Sequence, residues 1–428
     1  MTFNVQPQIV SGQNMPVTFK EYIMNGVASK EEIDVFLYGM SWAKFEPEVG
    51  YKLGNYMPHD GVDNSSTLST SKPNGARTSF MYSGKPGRIN TYGNSFTQCH
   101  QVNDGETWQE YLAANLGEPI RNFGMGGYGV NQSYRRMLKK ESSEDSAKNI
   151  IFYIWGDDHI RSLLRCRYML IKEWMKEEDK TEKVGSMFHG NFWANIEMDM
   201  DKGTLVEKKS LIDSPDSLYN MTDPVWMYNN LKDDLALQMA LYKRNEIKDI
   251  DFGKLRRLAR FLNSTIDPEK ATDKRKAVGD ILDKYSFAAT EFILNKVKDF
   301  AEKNSKKLLV VIFDPYQVTN SLILNNSRYE QEIVNYLKEK KFNYFDMNLV
   351  HEQDYKLFKL SVPEYYKRYF IGHYNPAGNH FFALSIKSAV IKILHPKPIT
   401  YQHSKEQLIN FKGYLEGFLT KVFNTITN

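Results

Sequence analysis

Residues Arg88 to Met137 read RINTYGNSFTQCHQVNDGETWQEYLAANLGEPIRNFGMGGYGVNQSYRRM, and this stretch decides the fold. Arg88–Tyr92 is a short strand that breaks at Gly93, which leaves Asn94 and Ser95 on a turn. Glu106–Leu116 has helical spacing, with Trp108, Leu112 and Leu116 on one face and Gly117 as its stop. Pro119–Phe123 is a second strand. It runs into the glycine-rich turn Gly124-Met125-Gly126-Gly127-Tyr128-Gly129, and a new helix begins near Val130. Strand, hydroxyl-bearing turn, helix, strand and glycine turn make a βαβ unit, and ligands bind at the carboxyl ends of the strands in such a sheet.

Working outward, Ile150–Ile154 and Lys307–Phe313 are apolar runs of strand length, and Phe342–Met347 is a last strand. The expectation is an α/β fold: a flavodoxin-like parallel sheet of about five strands flanked by helices. Residues 1–87 read as an N-terminal extension packed beside the core, with a capping box at Ser29–Glu32. Residues 88–160 and 305–396 are the two parts of the core. Between them, 161–304 is a large, mostly helical insertion, expected to cap the site or to join subunits. In it, Ile160–Glu178 reads as one helix, Asn191–Met200 and Thr204–Lys208 as a hairpin, and Pro224–Tyr242, Gly253–Asn263 and Asp267–Asn304 as helices. Residues 397–428 hold an amphipathic helix with Leu408, Phe411, Leu415, Phe418, Val422 and Ile426 on one side. Packing on the core or contact with a second copy of the chain would use that side.

The charge balance of 56 basic against 52 acidic residues, net +4, gives no reason to expect nucleic acid or a membrane surface as a partner. With two cysteines, no basic-then-apolar leader and no run of the ~20 apolar residues that span a bilayer, a cytoplasmic protein is expected.

Four short blocks carry a family resemblance. Tyr92-Gly93-Asn94-Ser95-Phe96-Thr97 resembles the nucleophile block of the SGNH (GDSL-type) hydrolases, and Asn122-Phe123-Gly124-Met125-Gly126-Gly127 resembles their N-x-G-x-x-G block. Trp155-Gly156-Asp157-Asp158 stands where the family has G-x-N-D, and Ile371-Gly372-His373-Tyr374-Asn375-Pro376-Ala377-Gly378 resembles the block of the catalytic His. The blocks occur in the family's order, each at an expected strand end. The resemblance implies Ser95 as nucleophile, His373 as general base, and oxyanion donors at Ser95, Gly127 and the position of Asp157. Asn94, Tyr128, Asp158, Asp314 and Tyr374 would line the site. No cofactor or metal is implied, and Cys99, His100, Asp157, Asp158 and His159 match no standard ligand spacing.

Three positions depart from the pattern. Asn94 replaces an Asp and Asp157 replaces an Asn, as if one Asp–Asn contact were kept with its ends exchanged. Phe370 or Ile371 stands where an Asp would orient the His. Asp157 would either donate to an oxyanion while protonated or accept from Asn94 or a loop N–H. The missing acid would be replaced by a backbone carbonyl or by an acid such as Asp314. The expected activity is hydrolysis of a short acyl ester, acetyl-like, on a carbohydrate or small polar molecule. An acyltransferase or a non-catalytic binding protein on the same fold are the alternatives.

Overall fold

A computed structural model describes residues 15–39, 42–172, 190–325 and 327–401. Its centre is a parallel sheet of five strands: β1 (Ile89–Tyr92), β2 (Ile120–Asn122), β3 (Asn149–Ile154), β4 (Lys307–Ile312) and β5 (Tyr344–Asp346). Their order is β2-β1-β3-β4-β5, with Ile89 in register with both Ile120 and Asn149, and Ile154 with Ile312. This is the flavodoxin-like order, with its switch point between β1 and β3. All six residues of β3 are buried, which explains its unbroken apolar run: both faces of the sheet are covered.

Alternate side chains feed two cores. Ile151, Tyr153, Leu309 and Val311 pack toward α2 (Trp108–Leu116) and α6 (Pro376–Ile393). Ile150, Phe152, Val310 and Ile312 share the second core with α3 (Val130–Glu141), α4 (Lys274–Lys303) and α5 (Gln331–Glu339). The short helix α1 (Ser95–Gln98) follows β1 directly. Thr107 caps the start of α2 by accepting from the Glu110 N–H, and Gly117 ends it at φ 73°.

The insertion differs from its expected form. The helix expected over 160–178 breaks after Arg161, because 162–167 take up hairpin contacts instead. The Ile196 N–H donates to the Ser162 carbonyl, and Trp193 Nε1–H to that of Leu164 at 2.7 Å. Two helices, Pro224–Leu231 and Leu235–Lys243, replace the expected single one, since Asp234 caps the second. The hairpin itself pairs Asn195–Asp199 with Thr204–Lys208. The long helix α4 packs on β4, α3 and the helix Asp158–Arg161, so it serves as the crossover between β3 and β4. Residues 173–178 of the expected helix, and the amphipathic stretch 404–426, lie outside the described residues.

The N-terminal extension carries an antiparallel pair, Ala43–Glu46 with Gly50–Leu53, and bridges the sheet edge where the Arg77 N–H donates to Asn122 O at 2.8 Å. Among the described residues no helix is long and apolar enough to cross a membrane.

Candidate active site

Ser95 and His373 lie 278 residues apart in sequence, and the carboxyl edge of the sheet brings them together. His373 Nε2 is 2.8 Å from Ser95 Oγ. Asn94 caps α1 by accepting from the Phe96 N–H at 2.8 Å, which fixes Ser95 as the first residue of the helix. On the other side, Asn375 caps α6 and Pro376 occupies its first turn, so His373 sits on a tight turn closed by the Phe370–Tyr374 bridge. The Tyr316 hydroxyl, from the turn after β4, donates to the Gly372 carbonyl and ties that turn down. Gly372 has φ +119°, and a Cβ there would lie 2.7 Å from the Gln101 side-chain oxygen.

That oxygen is the third member of the site. Gln101 Oε1 lies 3.0 Å from His373 Nδ1 and accepts the His373 backbone N–H at 2.7 Å. A backbone N–H can only donate, so the amide must present its oxygen here. An oxygen acceptor in turn keeps the proton on Nδ1 and leaves Nε2 free to take the Ser95 proton. Gln101 Nε2 donates to the Asp60 carbonyl at 3.2 Å. Cys99 and Gln101 both have left-handed backbones, φ 61° and 70°, and the resulting double kink turns the chain back toward His373.

The acid expected for this role is therefore neither a backbone carbonyl nor Asp314. Asp314 is buried at the end of β4, where its Oδ1 accepts the Tyr316 and Gln317 N–H groups. Burial first, with the charges of Glu330 and Asp157 behind it, pushes its carboxyl up to about 7.

The Arg77 guanidinium, from the extension, anchors the Gln101 turn. It pairs with Asp104 at 2.8 Å and donates to the carbonyls of Gln98, Cys99 and Val102 at 2.6, 2.5 and 2.5 Å. The sequence reading passed over Gln101, Arg77 and Asp60. The only signal for Gln101 was a polar side chain just past the Ser95 helix, in a segment without helix or strand periodicity.

Among the described residues no acceptor takes the N–H of Ser95 or of Gly127, so both are open for an oxyanion. Gly127 holds φ 79°, a conformation that glycine adopts without strain. The exchanged Asp–Asn contact exists, but with Asp158: Asn94 Nδ2 donates to Asp158 Oδ2 at 2.5 Å. Asp158 also accepts the Trp155 N–H at 2.9 Å and faces Arg161 at 3.1 Å. Burial pushes Asp158 up to about 6, while Arg161, Asn94 and the Trp155 N–H pull the other way. The expected Asn94–Asp157 pairing is thus corrected by one residue. Asp157 keeps 34% of its side chain exposed and lies 3.6 Å from Arg161.

Two expected lining residues are core instead. The Tyr128 hydroxyl is buried against the Tyr51 carbonyl, and the Tyr374 hydroxyl is 2.6 Å from His351 Nε2 within an aromatic stack. The side chains weighed as metal ligands point apart. Cys99 faces Gln109, His100 pairs with Asp60 at 3.2 Å, and His159 faces Thr290.

Burial, with His100 and Arg161 as like charges, lowers the His373 pKa to about 3, against the pull of Asp60, so its imidazole is neutral at pH 7. A small cleft opens beside the Gln101 turn, between it and the extension residues Trp42, Tyr56 and Asp60. The far wall of that cleft comes from the extension. Compared with protein-family models and with curated proteins, the chain matches none.

Proposed function

We propose that the chain is a serine ester hydrolase of SGNH type that removes a short, acetyl-like acyl group from a carbohydrate or another small polar molecule. The observation that carries this reading is the 2.8 Å contact between Ser95 Oγ and His373 Nε2, with Gln101 oxygen on the other ring nitrogen. Ser95 attacks the ester carbonyl while His373 Nε2 takes its proton, and the open N–H groups of Ser95 and Gly127 hold the oxyanion. His373 then returns the proton to the leaving alcohol, and water repeats the sequence on the acyl-enzyme.

One observation favours the non-catalytic alternative: Gln101 is neutral and stabilises an imidazolium less than a carboxylate does. A serine-reactive fluorophosphonate decides between them. The wild type is expected to label, to turn over a short-chain aryl ester, and to lose both with Ser95→Ala. A wild type that neither labels nor turns over at neutral pH would mean a binding protein.

A further inference from the structure

Two arginines beside the oxyanion donors are unevenly used. Arg161 is engaged on several sides: it lies 4.8 Å over the Trp155 ring, 3.1 Å from Asp158 and 3.6 Å from Asp157, and it donates to the Tyr128 carbonyl at 3.4 Å. Arg167 has no such set. Its Nη1 is buried without a hydrogen-bond partner among the described residues, although the residue as a whole is only partly buried. Its side chain hydrogen-bonds the Tyr51 hydroxyl and feels the charges of Arg161 and Asp157, and burial together with the like charge of Arg161 lowers its pKa to about 10. Tyr51 fixes where this lies, because its hydroxyl donates to the Gly126 carbonyl at 2.9 Å, one residue from the Gly127 N–H.

A guanidinium carries five N–H donors, and holding one partly buried beside a second cation, with a tyrosine hydroxyl as its hydrogen-bond partner and Nη1 left over, is costly. Asp158 cannot relieve it, since its oxygens already serve Asn94, the Trp155 N–H and Arg161. A planar fork with open donors fits a carboxylate, sulfate or phosphate group in bidentate fashion. We propose that Arg167, backed by Arg161, forms an anion subsite next to the oxyanion donors. On the hydrolase reading, on which this placement in the substrate rests, the ester carries an oxyanionic group on its acyl or alcohol part.

Sulfate titrated calorimetrically into the full chain at constant ionic strength, with chloride as control, tests the subsite without needing turnover. The wild type is expected to bind sulfate. Arg167→Met keeps the apolar stem and should weaken that binding at least tenfold, which is about 1.4 kcal/mol. Arg167→Gln gives the same comparison if the Met variant does not fold. Equal binding by variant and wild type, or no binding above chloride, would overturn the subsite. The substrate arm compares an aryl ester bearing a free carboxylate with its neutral counterpart. The ratio of their kcat/KM values should fall at least tenfold in Arg167→Met, and an unchanged ratio would refute a substrate anion there. A chain that binds sulfate through Arg167 but neither labels with fluorophosphonate nor turns over esters keeps the subsite and sinks the hydrolase reading.

Discussion

Replacing Gln101 with Ala removes the one acceptor that both orients His373 and sets its tautomer. Two bonds are lost, from Nδ1 at 3.0 Å and from the His373 N–H at 2.7 Å. In the ground state each is a neutral hydrogen bond, worth about 0.5–1.5 kcal/mol net. As Ser95 gives up its proton the ring becomes an imidazolium, and the Nδ1 bond becomes charge-assisted, worth roughly 1.5–3 kcal/mol. That difference, about 1–1.5 kcal/mol, acts on the barrier, so kcat/KM should fall roughly 5- to 15-fold. The orphaned N–H of His373 adds a stability cost of about 1–3 kcal/mol. The assay is kcat/KM on a short-chain aryl ester, paired with a urea melt. If ester turnover is slow, the second-order rate of fluorophosphonate labelling gives the same comparison. A folded Gln101→Ala chain that keeps more than half of the wild-type rate would refute the orienting role. Gln101→Glu is the converse test: a carboxylate in that place should raise the His373 pKa, and the acid limb of the rate profile should move up in pH.

Because the His373 pKa is lowered to about 3, the base is already neutral at pH 5, and kcat/KM should show no acid limb near the ordinary ~6.5. Protonation of Asp158, whose pKa is raised to about 6, could impose a limb of its own. Such a limb should vanish in Asp158→Asn, and one that persists there would mean His373 titrates normally. Asp157→Ala is expected to change the rate little, since Asp157 is 34% exposed and among the described residues pairs with Arg161 alone, whereas Asp158→Ala unties Asn94 and should lower rate and melting temperature together. A 100-fold loss with Asp157→Ala in a folded chain would restore it as an oxyanion donor. Arg77→Met breaks a pair that is 1% and 3% exposed and should cost about 3–5 kcal/mol in a urea melt. Part of that cost should return in Arg77→Met with Asp104→Asn, and a loss under 1 kcal/mol would show that the clamp contributes little.

The sheet was legible because its signals are local. β3 and β4 are apolar runs of strand length, β1 breaks at Gly93, and Gly117 ends its helix as glycine usually does. Ser95 and His373 were legible through blocks that sit at strand ends. The register of the acidic pair was not: Asp157 and Asp158 are adjacent, and only the turn after β3 decides which of them faces Asn94. The break at 162–167 also escaped, since Leu163 and Leu164 are buried as a helical stripe would bury them, but against a hairpin. Gln101 was hidden for a different reason. Its role depends on two left-handed residues at 99 and 101, and neither cysteine nor glutamine advertises that conformation.

The extension before residue 88 belongs physically to the site. The Gln101 turn pays for its left-handed kinks with no regular hydrogen-bond ladder, and its carbonyls at 98, 99 and 102 all accept from the single guanidinium of Arg77. The Gln101 amide is held at its far end by the Asp60 carbonyl, and the Asp60 carboxylate pairs with His100, whose ring lies 5.2 Å from that of His373. An acid placed just before the His needs no such support, because it rides on the same loop. An amide delivered from the nucleophile's side must be fixed by something outside both loops. On the proposed SGNH reading, Phe370 or Ile371 stands where an Asp would orient the His, and Gln101, held by the Arg77 clamp, fills that role with the extension as its scaffold.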